Sequence, residues 1–318
     1  MAGAGALVTD RAGGPLPLDG TLWIVNPIAG VGRGRANAER LRRELPAADV
    51  QLTTRAGEAA ELARDAVHTG FHTVVVVGGD GTLTEVADAV IDEDPSGELA
   101  VGFVPAGTCN DFSRCRELSP TLHGLLDRAR ARRIDVGRVT YATPRGPESR
   151  HFVVNCTVGL VSRIGERFTR KTRANLALKR VSLELAQGVL GVDTLARWRP
   201  LPLRLTVDGT PVHSSATNLA VMKVPHFAGG LSFGDFGAID DGRLSTVLLG
   251  GMSRPAVAHA MWRAFRRRLE GHPELRHWAA EHVRVECDRP FPVEVDGEIV
   301  GTTPAEFQVL PRRLLTIT

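Results

Sequence analysis

Two acidic residues stand where folding alone does not account for them. Asp80 lies inside Gly78-Gly79-Asp80-Gly81, a turn whose glycines let backbone N–H groups approach a polyphosphate closely. A carboxylate in such a cradle repels phosphate unless a cation or a proton-transfer role accompanies it. Glu298 follows Asp296-Gly297. An Asp-Gly pair is ordinary hairpin chemistry and accounts for Asp296. Glu298 has no turn role and is a candidate general base. An adjacent acidic pair, Asp240-Asp241, precedes Gly242. Adjacent carboxylates with exposed carbonyls suit Mg²⁺ or Ca²⁺, and a plain turn accounts for them equally well.

The elements around these residues change character along the chain. Val74 to Val77 form an apolar run without period, the pattern of a short strand buried on both faces of a parallel sheet. Helical spacing of apolar residues follows from Leu83 to Val90. Further strands are expected at 22–25, 50–53 and 100–105, with helices at 36–45 and 57–68. That alternation predicts a parallel α/β sheet, with three polar loops (26–34, 78–82 and 106–111) at one edge. The first loop lacks both common nucleotide signatures. Arg35 stands where G-x-G-x-x-G needs its third glycine, and no glycine precedes Lys and Ser or Thr. Arg33 remains as a phosphate partner there. Beyond residue 137 come short Val- and Leu-rich segments between Gly, Pro and Asp turns, the look of an antiparallel β domain. One basic, amphipathic helix is expected over 175–190, packed on that sheet or forming a lip at a lipid cleft.

Composition narrows the classes. A chain of 318 residues has room for two cores. A formal charge of +3 is too small for a dedicated nucleic-acid binder; the basic runs at 163–180 and 263–268 suit an anionic membrane surface, although a solvated helix face is the commoner explanation of such runs. Cys109, Cys115, Cys156 and Cys287 have neither zinc-site nor disulfide-framework spacing. No apolar run reaches membrane-span length, and the Gly/Ala/Pro-rich first twenty residues read as a loose tail. A cytoplasmic protein is expected.

Taken together, Asn26-Pro27…Gly30, Gly78-Gly79-Asp80-Gly81-Thr82, Gly107-Thr108-x-Asn110-Asp111-Phe112, Asp241-Gly242 and Asp296-Gly297-Glu298 resemble the diacylglycerol kinase catalytic-domain family. The likeness is to its soluble bacterial branch, alongside sphingosine and ceramide kinases. Gly-Gly-Asp-Gly alone is shared with NAD kinases and phosphofructokinases; the ordered set is more specific. The resemblance implies an N-terminal α/β domain holding ATP over 21–137, with 305–318 returning to it. It implies a β-sandwich domain over 138–304 and a lipid entering the cleft between the two. Asn26, Thr53, Gly78, Gly79, Asp80, Gly81, Thr82, Leu83, Thr84 and Thr108 would contact nucleotide. Glu298 would accept the lipid hydroxyl proton, with Asp80 as the rival base. Asp80 and Asp111 would order Mg²⁺ at the phosphates, and a structural Mg²⁺ would sit on Asp241 with the carbonyls of Ala238 and Arg243. The resemblance also implies an enzyme working at the membrane surface, without a transmembrane segment, and allows a homodimer.

Two departures stand out. Gly229-Gly230-Leu231 replaces a Gly-Gly-Gly segment, and Leu244-Ser245-Thr246 replaces Leu-Asp-Val after the metal turn. Both bear on lipid identity and the structural metal rather than on phosphotransfer. Diacylglycerol is the expected acceptor. Another lipid alcohol such as a sphingoid base, an NAD kinase-like reaction, and a nucleotide-responsive binding protein are the competing readings.

Overall fold

The computed structural model describes residues 20–30, 32–115, 125–170, 172, 183–229, 231–234 and 236–317. The expected N-terminal tail and the first half of the helix expected over 175–190 lie outside the described residues.

The first third alternates strand and helix: β1 (Thr21–Val25), α1 (Arg33–Glu44), β2 (Asp49–Leu52), α2 (Glu58–His68), β3 (Thr73–Gly78), α3 (Asp80–Glu93) and β4 (Ala100–Pro105). The strands lie in the order β2-β1-β3-β4 and pair in parallel throughout. Successive valines of β3 point to opposite faces, which is why an unbroken apolar run is needed. Val75 and Val77 pack under α1 with Trp23, Ala38 and Leu41. Val74 and Val76 pack under α2 and α3 with Ala63, Leu83 and Val90. The chain leaves β1 toward β2 on one side, then crosses to β3 on the other. This reversal opens a crevice at the carboxyl ends of β1 and β3, where open α/β sheets take their ligands.

The second part is mainly antiparallel: β5 (Ala131–Thr143), β6 (Gly146–Phe152), β7 (Asn155–Gly159), α4 (Leu160–Thr169), α5 (Leu183–Arg197), β8 (Leu201–Val207), β9 (Thr210–Met222), β10 (His226–Phe227), β11 (Leu231–Ser232), β12 (Leu244–Gly250), α6 (Arg254–Phe265), β13 (Leu275–Ala280), β14 (His282–Cys287), β15 (Pro292–Val295) and β16 (Glu298–Ile317). Its own core gathers Phe152, Trp198, Leu219, Val247, Val283 and Phe307. β16 pairs antiparallel with β15, β14 and β5, then ends with Thr316 beside Val101 of β4 in parallel. A single fourteen-stranded sheet therefore joins the α/β part to the β-rich part. The divisions expected at 137/138 and 304/305 fall inside β5 and β16.

Several elements differ from the sequence reading. Helix α3 starts at Asp80, so the aspartate is its first residue rather than part of the preceding loop. Helix α1 starts at Arg33, after Gly32 takes a left-handed conformation (φ 92°). Helices α4 and α6 were not expected. α6 carries Pro255 as its second residue, and proline fits the first turn of a helix because its missing N–H has no partner there anyway. Among the described residues no helix is long and apolar enough to cross a membrane.

Candidate functional site

Three glycine-bearing loops meet at the carboxyl ends of β1, β3 and β4, and their glycines are there because backbones touch. A methyl group added at Gly107 would lie 2.4 Å from the Cα of Gly79, and one at Gly30 would lie 2.0 Å from the carbonyl oxygen of Ala106. One added at Gly34 would lie 1.9 Å from the carbonyl oxygen of Asn26. The Arg33 guanidinium fastens the same loops by donating to the carbonyls of Gly30 and Gly107. Those contacts occupy the side chain read as a phosphate partner.

Beside the loops, Asn26 Nδ2 donates to Thr82 Oγ1 (3.1 Å), and Asn26 Oδ1 accepts from the backbone N–H of Ile28 (3.2 Å). Both residues line a cleft of about 180 Å³ with Ile28, Thr53, Arg55 and Glu85. The Thr53 N–H donates to the Val25 carbonyl, fixing that threonine at the end of β2 next to β1. Thr108 is exposed and is not among the residues lining this cleft. Ile28, Arg55 and Glu85 were not singled out from the sequence. Ile28 is 84% exposed, an unusual position for a large aliphatic side chain at a polar cleft.

Leu83 and Thr84 turn the other way. Leu83 packs into the core under α3, and Thr84 is buried with its hydroxyl donating to Asp296 Oδ2 at 2.5 Å. Only their backbone is near the glycine turn.

The carboxylates around the start of α3 form one electrostatic system. Asp80 accepts from the backbone N–H groups of Asp111 (3.0 Å) and Phe112 (3.1 Å), which locks the 106–112 loop to the head of the helix. Burial raises its pKa, partly offset by those two bonds. Asp111 accepts from the Gly229 N–H through both oxygens (3.1 and 3.2 Å), tying the loop to the β-rich part. Burial and the neighbouring Asp80 raise it to about 6. Asp296 is also raised to about 6, by burial first. Its oxygens accept from Thr84 Oγ1 and from the N–H groups of Val153, Val154 and Asn155. A residue that looked like an ordinary turn aspartate is thus a buried joint between α3, the β6–β7 connection and the β15–β16 hairpin. Its φ of 45° is the conformation the first position of that tight turn requires.

Glu298 is half-exposed, at the first position of β16. Its Oε2 accepts from Arg150 Nη1 of β6 at 2.7 Å. Its Oε1 faces the glycine turn: a methyl group added at Gly81 would lie 3.8 Å from it. Glu85, one helical turn further along α3, has its pKa raised by burial and then by Glu298. Arg150 was missed from sequence because its partner lies 148 positions away.

The residues expected to hold a structural metal are elsewhere. Asp241 and the carbonyl of Arg243 converge on the ammonium of Lys223, at 3.2 and 2.6 Å; Ala238 is exposed. A further group, Asp88, Asp92 and His151, brings its ligand atoms within 4.8 Å of one another on α3 and β6. His151 Nδ1 and the His151 N–H both contact Asp88 Oδ1 at 2.8 Å, an arrangement that pins helix to strand.

The diacylglycerol kinase catalytic domain matches residues 21–139, and the YegS C-terminal NAD kinase beta sandwich-like domain matches residues 167–318. A protein named diacylglycerol kinase from Staphylococcus aureus is 25% identical over 305 residues, 92% of this chain and 90% of its own length. Among solved structures, a putative diacylglycerol kinase from Bacillus anthracis superimposes with a TM-score of 0.73 at 21% identity, covering 98% of both chains. Yeast NADH kinase superimposes with a TM-score of 0.50 at 13% identity, covering 97% of this chain and 87% of that one. These two structures establish likeness of fold alone: an N-terminal α/β domain followed by a β-rich domain.

Proposed function

We propose that this chain, whose residues 21–139 match the diacylglycerol kinase catalytic domain and whose residues 167–318 match the YegS C-terminal domain, is a lipid kinase that transfers the γ-phosphoryl group of ATP to the hydroxyl of diacylglycerol, giving phosphatidic acid. The observation that carries this reading is the free oxygen of Glu298 beside Gly81, a carboxylate brought by the β-rich part to the nucleotide-side turn. Phosphoryl transfer needs alignment and charge neutralisation more than covalent help. The glycine turn and the head of α3 offer backbone N–H groups and the positive end of a helix dipole to the phosphates. Asn26, Thr53 and Thr82 line the neighbouring cleft, where each can contact the nucleotide, and Thr108 is exposed on the 106–111 loop.

Glu298 serves as the proton acceptor. Arg150 holds one oxygen and so fixes the other toward the turn. Asp80 suits a positioning role better, because both its oxygens are engaged by backbone N–H groups. The donor set also fits a divalent ion: Asp80 and Asp111 are oriented, retain lone pairs, and carry raised pKa values from burial, so a cation there relieves crowded negative charge. Mg²⁺ bound with ATP would offset the charge that develops on the transferring group.

Access to the lipid is served by the α5–α6 surface. Val189 and Val192 of α5 and Met261, Trp262 and Phe265 of α6 are exposed, from 42% to 74%. Arg266 stacks over Trp262 at 5.2 Å, and Arg267 and Arg268 are exposed beside them. Apolar anchors bordered by arginines fit an anionic bilayer, and this peripheral contact accords with a cytoplasmic enzyme.

The test is radiolabelled ATP with dispersed diacylglycerol, a sphingoid base, and NAD, followed by identification of the product. Labelled phosphatidic acid is the expected result. Labelled NADP, or phosphorylated sphingoid base alone, replaces the acceptor proposed here, and no labelled product from any acceptor overturns the reaction.

A further inference from the structure

Lys223 follows the last residue of β9 and is 2% exposed, one of the largest fully buried side chains in the molecule. Its ammonium meets three oxygens: Asp135 Oδ2 at 3.0 Å, Asp241 Oδ1 at 3.2 Å and the Arg243 carbonyl at 2.6 Å. Three protons meet three acceptors, so nothing on the nitrogen is left unpaired. Asp135 is itself fully buried on β5, and its carboxylate also accepts from the N–H groups of Gly242 (2.7 Å) and Arg312 (2.9 Å). Asp241 Oδ1 accepts in addition from the Arg243 N–H. The Asp135 N–H donates to the Ile239 carbonyl. The turn at 239–243, the strand β5 and the irregular step in β16 at Arg312 are gathered on this one charged centre.

Two carboxylate oxygens and a carbonyl oxygen are the ligand chemistry of a hard cation. The expected structural Mg²⁺ would use the same Asp241 and the same Arg243 carbonyl. It does not fit. Mg²⁺ needs oxygens at about 2.0–2.1 Å in a near-octahedral shell, and the position those oxygens share is filled by a nitrogen that carries its own positive charge. A divalent ion pressed against a buried ammonium would be repelled in a medium that screens poorly.

We infer that Lys223 is a covalently tethered replacement for the structural divalent cation, so that the β-rich part holds its 239–243 turn without any metal. The lysine supplies the positive charge that Asp135 and Asp241 require, and unlike an ion it cannot be lost to dilution or to chelators. The inference stands apart from the identity of the lipid acceptor, since its readout is composition and stability rather than turnover.

The experiment begins with the full-length protein, purified without nucleotide and passed through gel filtration. Elemental analysis is expected to find well under one Mg²⁺ or Ca²⁺ per chain, and excess EDTA is expected to leave the thermal midpoint unchanged. About one tightly held divalent ion per chain, or an EDTA-induced fall of several degrees, overturns the inference. Lys223→Ala then tests the equivalence directly. The variant is expected to melt roughly 5–10 °C lower and to recover part of that loss in millimolar Mg²⁺ or Ca²⁺, beyond any shift the unaltered protein shows. A folded Lys223→Ala chain that gains nothing from either ion overturns the equivalence of ammonium and metal. If the variant does not fold, the metal content and EDTA response of the unaltered chain still decide the matter.

Discussion

At the scale of single residues, Asp296 and Glu298 are two positions apart on one hairpin and do different work. Asp296 is buried and accepts from one hydroxyl and three backbone N–H groups. Glu298 is half-exposed with one oxygen free toward Gly81. Glu298→Gln is expected to lower kcat by about 10²–10⁴-fold with little change in thermal midpoint or in KM for ATP. Asp296→Ala is expected to cost about 3 kcal/mol or more in stability, because it strands buried donors, and urea denaturation reads that loss. If Glu298→Gln turns over at a near-normal rate while Asp80→Asn is dead, the base is Asp80. Asp111 gives a pH dependence. Its carboxyl holds a proton up to about pH 6 because burial and Asp80 disfavour the charged form. A divalent ion competes with that proton. The Mg²⁺ concentration for half-maximal activity is therefore expected to fall as pH rises from 5 to about 6.5 and then to level off. A requirement that does not change with pH across that range argues against Asp111 beside the metal.

Among elements, the loops after β1, β3 and β4 form one object held together by backbone contact, and the glycines within it are not equivalent. Gly107→Ala forces two backbones apart, since the new methyl would lie 2.4 Å from the Cα of Gly79. It is expected to raise KM for ATP tenfold or more and to lower the thermal midpoint by several degrees. Gly81→Ala meets only Glu298 Oε1, at an ordinary 3.8 Å, and lies in the first turn of α3, where alanine is favourable. Its melting temperature is expected to match the unaltered protein. Equal damage from both substitutions would show that something other than steric contact governs the loops. These loops were legible in the sequence because they carry their signal locally: an apolar strand, glycines at a turn, then helical spacing. The Asp296 joint was not, since an Asp-Gly turn reads the same whether its carboxylate faces water or three N–H groups. Nor was the pairing of Arg150 with Glu298 or of Lys223 with Asp135, which depends on strands brought together over 148 and 88 positions. Helix α6 escaped because only Val257, Ala260 and Ala264 face inward, leaving Met261, Trp262 and Phe265 to blur its period.

For the whole molecule, the +3 formal charge is modest, and its distribution matters more than its size. The exposed apolar side chains of α6 are followed directly by the exposed Arg266, Arg267 and Arg268, and Arg266 stacks over Trp262. Co-sedimentation with phosphatidylglycerol vesicles is expected to exceed that with phosphatidylcholine vesicles and to weaken in high salt, because part of the attraction is electrostatic. Trp262→Ala with Phe265→Ala is expected to reduce vesicle binding several-fold while leaving the thermal midpoint unchanged. If the double variant binds vesicles normally but no longer self-associates in gel filtration, the face joins two copies of the chain instead.

The strand β16 has a mechanical meaning. Its first residue is the candidate base and its last residues lie against β4, so a rod about twenty residues long connects the candidate base to the parallel sheet of the α/β part. Tilting one half of the molecule against the other has to flex that rod, and the softest places along it are the irregular steps at 302–305 and 310–314. Removing residues 312–317 would take away no loose appendage: it would unzip the seam that lets the two halves share one backbone.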